Sequence, residues 1–123
     1  MTKKQRAKCK KLIKELRSGK YEQTCGTLCW YKEESKLFCY CVQGVAYKLI
    51  GYDEISKYSL GKNGINAVPV MSSLSKKHAA AIELTDAYGL STDEWRQLLN
   101  LNDFGKIPFL LLSNKIEEMV NGK

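Results

Sequence analysis

Thr2-Lys3-Lys4-Gln5-Arg6-Ala7-Lys8-Cys9-Lys10-Lys11-Leu12-Ile13-Lys14-Glu15-Leu16-Arg17-Ser18-Gly19 is the stretch on which the reading of this chain turns. Cys9, Leu12, Ile13 and Leu16 fall at i, i+3, i+4 and i+7, the spacing that puts side chains on one stripe of an α-helix. Lys10, Lys14 and Arg17 line another side, with Lys4, Lys8 and Lys11 between. Thr2 suits an N-cap, and Ser18-Gly19 supplies a stop, because glycine enters the left-handed conformation that closes a helix without steric cost. The spacing predicts an amphipathic helix over residues 2–18, apolar inward and strongly basic outward.

Downstream the period changes. Thr27-Leu28-Cys29-Trp30-Tyr31 and Leu37-Phe38-Cys39-Tyr40 alternate in the β manner around a charged turn at residues 32–36, which predicts a hairpin. Val42, Val45, Ala46 and Leu49 return to helical spacing before Gly51, although Gly44 inside that segment costs a helix about 1 kcal/mol relative to Ala. A second hairpin is expected from Ile55-Ser56-Lys57-Tyr58 and Ile65-Asn66-Ala67-Val68 across Gly61-Lys62-Asn63-Gly64, with Pro69 ending it.

Three helices follow. The first covers residues 76–88, capped by Ser75 and closed by Gly89, with Ala80, Ala81, Leu84 and Tyr88 inward. Ser91 and Glu94 have capping-box spacing ahead of the Trp95, Leu98 and Leu99 stripe. Pro108 suits the first position of a last helix whose Phe109, Leu112, Ile116 and Met119 face inward. This order predicts an α+β protein: an N-terminal amphipathic helix, a small antiparallel sheet of hairpins and C-terminal helices on one face, in a single domain over residues 1–123.

The 123 residues are 44% hydrophobic, enough for one modest core and too apolar for a chain that stays unfolded. The longest apolar runs, such as Phe109-Leu110-Leu111-Leu112, fall far short of the ~20 residues that span a bilayer, so no membrane partner is expected. The net charge of +7 is lopsided: residues 1–20 hold nine Lys and Arg against one Glu, and the remainder hold eleven basic against twelve acidic side chains. One positive face is expected, not a basic surface all round. Five cysteines, an odd number behind a start with no apolar signal core, point to a reduced cytoplasmic setting with thiols packed as small apolar groups.

Leu16-Arg17-Ser18-Gly19-Lys20-Tyr21-Glu22-Gln23, Cys41-Val42-Gln43-Gly44-Val45, Gly89-Leu90-Ser91 and Leu101-Asn102-Asp103-Phe104-Gly105-Lys106 together resemble the signature of a family of small proteins encoded by tailed phages and prophages. In that family a helix ends in an R-S-G-x-Y-x-Q-like motif, a hairpin and a C-C-L-G-V-like segment follow, and an L-N-D-x-G turn leads to a final helix. Here Val and Gln stand where a second Cys and Leu are usual, and Ile107-Pro108-Phe109 replaces Ser-Phe. The resemblance implies phage origin and fold more than activity. Small accessory phage proteins often counter host defence, by occluding a host protein or sequestering a nucleotide signal, and the resemblance implies a role of that kind.

Candidate chemistry gathers in a few places. Arg17, Lys20, Tyr21 and Gln23 form the densest polar loop: Gly19 permits close backbone approach, Arg17 can clamp a phosphate and Gln23 can read an amide-like base edge. The competing reading is a helix cap whose Tyr and Gln satisfy buried backbone groups. Tyr40 and Tyr47, among eight aromatics between residues 21 and 58, are expected to stack a ligand, against the plainer use of packing strands on helices. Lys4, Lys8, Lys10, Lys11 and Lys14 offer contacts to nucleic-acid phosphates, against a merely solvated face. Cys25, Cys29, Cys39 and Cys41 lack the spacing of a zinc knuckle; no metal and no cofactor is expected.

His78 is the sole histidine, and no His-x-Glu, Gly-x-Ser-x-Gly, His-Glu-x-x-His or phosphate-loop pattern occurs, so an enzyme is the class expected least. The leading expectation is a non-catalytic phage anti-defence protein that sequesters an anionic, nucleotide-type small molecule, with a homo-oligomer a plausible setting for the site. The alternatives are a nucleic-acid-binding protein that uses the basic helix, and an inhibitor of an acidic surface on a host defence protein.

Overall fold

The computed structural model describes residues 1–25, 29–32, 37–51, 65–66 and 77–123. Among them the elements run α1 (Lys3–Arg17), β1 (Glu22–Gln23), β2 (Cys29–Lys32), β3 (Leu37–Tyr40), α2 (Val42–Leu49), β4 (Ile65–Asn66), α3 (Lys77–Tyr88), α4 (Thr92–Asp103) and α5 (Phe109–Asn121), an α+β arrangement. The expected strand Ile55-Ser56-Lys57-Tyr58, the Gly61-Lys62-Asn63-Gly64 turn, Pro69 and the Ser75 cap lie outside the described residues.

The first helix starts on a capping box. Gln5 N donates to Thr2 Oγ1 at 3.1 Å, and Thr2 N donates to Gln5 Oε1 at 2.8 Å. Gln5 Nε2 also donates to Asp86 O at 3.0 Å, which fastens the start of α1 to the last turn of α3. Arg6 donates to Lys123 O and Arg17 to Ser113, so α5 runs antiparallel along α1. The Cys9, Leu12, Ile13 and Leu16 stripe is buried in one cluster with residues of β3 and all four other helices, including Tyr47, Tyr88, Trp95 and Ile116. Tyr88 and Trp95 meet edge to face with centroids 5.5 Å apart, and Tyr88 Oη donates to Ala46 O at 2.6 Å, which joins α2, α3 and α4.

The sheet is mixed, in the order β1-β3-β2-β4. β2 pairs antiparallel with β3 (Trp30↔Cys39, Tyr31↔Phe38) and with β4 (Tyr31↔Ile65), while β1 pairs parallel with β3 (Gln23↔Tyr40). This corrects the expected antiparallel sheet of hairpins in its topology. The polar loop after α1 supplies a parallel strand, and the described part of β4 pairs with β2. Two residues, Glu22 and Gln23, carry no alternation to read. β1 is held instead by Thr24 N donating to Tyr40 O at 2.8 Å and by the side chain of Gln23.

Two local expectations shift. Pro108 is the N-cap of α5 and not its first helical residue, and it brings no side-chain cap bond. Gly44 falls in the first turn of α2, where the backbone N–H lacks an intrahelical acceptor; Cys41 Sγ accepts it at 3.4 Å, which offsets part of the glycine cost.

Candidate functional site

The polar loop after α1 turns inward. Gln23 Nε2 donates to Asn102 Oδ1 at 3.0 Å and to Ile107 O at 2.7 Å, while Gln23 Oε1 accepts from Phe109 N at 3.0 Å. Gln23 thus supplies from β1 the cap that Pro108 cannot give α5. Asn102 is fully buried; its Oδ1 also accepts from Val42 N at 3.2 Å, in the first turn of α2, and its Nδ2 donates to Thr24 O and Asp103 Oδ1, both at 2.9 Å. The Phe109 and Val42 N–H groups determine which end of each amide is oxygen. Gln23 therefore faces protein backbone where a ligand's base edge was expected, and the cap reading describes its position.

Arg17 points across the seam between α1 and α5. Its Nε donates to Ser113 Oγ at 3.0 Å, its Nη2 to Asn114 Oδ1 at 2.8 Å, and Glu117 Oε1 lies 3.4 Å away. A phosphate at Arg17 must compete with Glu117. Lys20 stands 3.8 Å from Glu15 Oε2 and 5.5 Å from the centre of the Tyr21 ring, which meets Tyr40 edge to face at 5.3 Å.

Tyr40 and Tyr47 are 4% and 1% exposed, so burial corrects their expected role as stacking platforms: neither presents a ring face to solvent. Lys48 Nζ lies 3.1 Å from Tyr40 Oη and 5.3 Å from the ring centre. That places it off the hydroxyl edge as a hydrogen-bond donor, not above the π face. Arg17 faces α5, Gln23 faces Asn102 and Tyr47 fills the core; these residues serve three places, not one hollow.

The basic face of α1 behaves differently. Lys3, Lys4, Lys8, Lys10, Lys11 and Lys14 are exposed, and none forms an ion pair with any described residue. Their placement is mixed for the helix: Lys14 in the last turn is favoured by the dipole and Lys11 stands i, i+4 from Glu15, but other positions cost stability. Lys4 with Lys8 and Lys10 with Lys14 are like charges at i, i+4, each pair unfavourable by about 0.2–0.5 kcal/mol. Lys3 and Lys4 occupy a first turn that holds no acid, at the positive end of the helix dipole, where a cation costs about 0.3–1 kcal/mol. Burial of Leu12 and Leu16, at about 2 kcal/mol each, outweighs these costs. The buried stripe, more than the charge, holds the helix together. Beside this face, between α1 and α5, lies an open groove of about 490 Å³ lined by Lys10, Ile13, Lys14, Arg17, Ser18 and Glu117.

Burial pushes the Cys9 thiol up to about 11 and the Cys41 thiol up to about 12, which keeps both protonated and unreactive near neutrality. Cys25 is exposed and donates to Asn102 O at 3.0 Å. Among the described residues, no group of three or more His, Cys, Asp and Glu side chains is placed to hold a metal ion. No described helix is long and apolar enough to cross a membrane.

Sequence reasoning took Asn102 as a turn residue and missed its place at the junction of three elements. No local signal marks it, since a turn Asn and a buried capping Asn look alike in the chain. Lys3 was likewise missed as part of the basic face; the absence of acid in the first turn was the signal that includes it. Comparison of the chain with protein-family models, with curated proteins and with solved structures finds no match.

Proposed function

We propose that this protein binds the phosphate backbone of nucleic acid, without catalysis, through the exposed lysines of α1. One observation carries the reading: six exposed lysines, in no ion pair with any described residue, crowd one helix, with Lys4 and Lys8, and Lys10 and Lys14, at like-charge i, i+4 spacing. Phosphates relieve that repulsion, and release of their condensed counterions supplies the driving force. The small side chain among these lysines is Ala7, with no amide or aromatic group beside it, which suits phosphate contact more than base reading. The test is fluorescence anisotropy across a salt series. Log affinity is expected to fall linearly with log salt, by about 0.9 per phosphate contact. Lys10→Glu combined with Lys14→Glu, both exposed, is expected to abolish binding while the circular dichroism spectrum stays unchanged. Salt-independent binding, or full binding by that variant, overturns the reading.

The groove favours a second reading, sequestration of a small nucleotide-type anion by a phage accessory protein. Lys10, Lys14 and Arg17 line it, with Glu117 as the counter-charge that a ligand phosphate would replace. Calorimetry against a nucleotide panel separates the two. A saturable heat lost in Arg17→Ala, without salt-dependent nucleic-acid binding, supports sequestration.

A further inference from the structure

We infer that α1 seats in the major groove of B-form duplex DNA, its lysines reaching the phosphates of both strands; this rests on the phosphate-binding reading above. At about 100° per residue, the exposed lysines sort into two rows. Lys3, Lys10 and Lys14 run on the α5 side, in line with Arg6 and Arg17, whose bonds to Lys123 and Ser113 mark that side. Lys4, Lys8 and Lys11 run on the other flank, in line with Glu15. The rows stand roughly 100° apart around the axis, and exposed Ala7 occupies the ridge between them. The inner stripe of Cys9, Leu12, Ile13 and Leu16 is buried, which leaves this two-flanked ridge as the outer half of a helix about 22 Å long.

The shape matters as much as the charge. The major groove of B-DNA is about 12 Å wide and admits an α-helix, and its two walls are the two phosphate strands. A helix seated there meets phosphate on both flanks and base edges at the ridge. α1 offers a row of cations to each wall, one of them ending in Glu15, which Lys20 meets at 3.8 Å, and a methyl group to the floor. A single strand needs only one row, and the major groove of an RNA duplex is too deep and narrow to be read by side chains. Two rows therefore select B-form duplex among phosphate polymers. With no Asn, Gln or Arg on the ridge, base readout is confined to the Ala7 methyl, and binding depends only weakly on base sequence.

The experiment uses the full chain and anisotropy at several salt concentrations against four probes: a short DNA duplex, its single strand, an RNA duplex of the same sequence, and heparin. Duplex DNA is expected to bind about tenfold more tightly than the other nucleic acids. Lys10→Ala with Lys14→Ala, and Lys8→Ala with Lys11→Ala, are each expected to lower the salt slope on duplex DNA by about 1.8. Ala7→Trp, at an exposed position, is expected to weaken duplex binding about tenfold and to leave single-strand binding intact. Equal affinity for all four probes overturns the groove inference and leaves phosphate binding standing, whereas no binding to any probe overturns both. A slope change confined to one row overturns the two-wall seating, and so does duplex binding by Ala7→Trp at full strength.

Discussion

Gln23 on β1 and Asn102 near the end of α4 hold each other across 79 residues of sequence, Gln23 Nε2 donating to Asn102 Oδ1 at 3.0 Å. Each amide also caps a helix that the other does not touch: Gln23 receives the Phe109 N–H of α5, and Asn102 receives the Val42 N–H of α2. The pair therefore joins the strand edge, two helix starts and one helix end through one buried and one half-buried amide, where an unmet partner costs more than a met one contributes.

Removing either member is expected to destabilise the fold and to spare ligand binding. Asn102→Ala strands the Val42 N–H and the Thr24 carbonyl and removes one of the three bonds of Gln23, a loss of about 3 kcal/mol. Gln23→Glu keeps an acceptor for Phe109 N but sets a carboxylate oxygen against Asn102 Oδ1 and Ile107 O, a loss of about 2 kcal/mol or more. Urea denaturation is expected to show lower midpoints at unchanged m. Loss of binding at an unchanged midpoint would instead make Gln23 a ligand contact.

Gly89 and Gly19 form a matched pair, both at φ +74°. A Cβ at Gly19 meets nothing within 4 Å, whereas at Gly89 it would lie 2.8 Å from Gln5 Oε1, in the side chain that ties α1 to α3. Gly19→Ala is expected to cost the left-handed backbone term alone, about 1–2 kcal/mol. Gly89→Ala is expected to cost that and the displacement of Gln5. Equal melting temperatures for the two variants would show that the Gln5 contact contributes nothing.

Glu94 gives the fold an acid-sensitive joint. Partial burial works against its charge, but the Lys123 ammonium at 2.7 Å and the Ser91 N–H at 2.8 Å outweigh that and hold its carboxyl below the usual range. In that range the unfolded chain binds the proton more readily, so the stabilisation is present above the unfolded pKa and is lost as pH falls through the lower folded value. Urea midpoints are expected to exceed those of Glu94→Gln near neutrality, with the gap closing below about pH 4. A gap independent of pH would assign the difference to the capping hydrogen bond alone.

The thiols are expected to separate by rate. Cys25 is exposed, while Cys9 and Cys41 are buried with thiols raised to about 11 and about 12. With an aromatic disulfide reagent at neutral pH, Cys25→Ser is expected to remove one fast equivalent. Cys9 and Cys41 are expected to react only on unfolding in urea. Fast modification of Cys9→Ser and Cys41→Ser variants with one equivalent fewer than the parent would contradict that burial.

Legibility followed the range of the interactions. α1 was readable to within a residue because its apolar stripe, Thr2 cap and Ser18-Gly19 stop all act within a few positions. Ser91 and Glu94 announced α4 for the same reason, through a box closed over three residues. β1 was not readable, since its two residues become a strand only by pairing with β3. Tyr47 looked like a stacking ring because an aromatic beside a lysine has the same local signature on a surface as in a core.

By itself the chain determined where α1 begins and ends, which face of it is apolar, and that its lysines share one helix, because helical periodicity and capping are written in neighbouring residues. Tertiary structure decided that Gln23 and Asn102 meet inside, that Arg17 engages α5, and that the tyrosines fill the interior while the lysines remain outside. Those outcomes depend on which buried polar groups find partners and which rings fill the space between helices. They are settled by contacts between residues far apart in the chain.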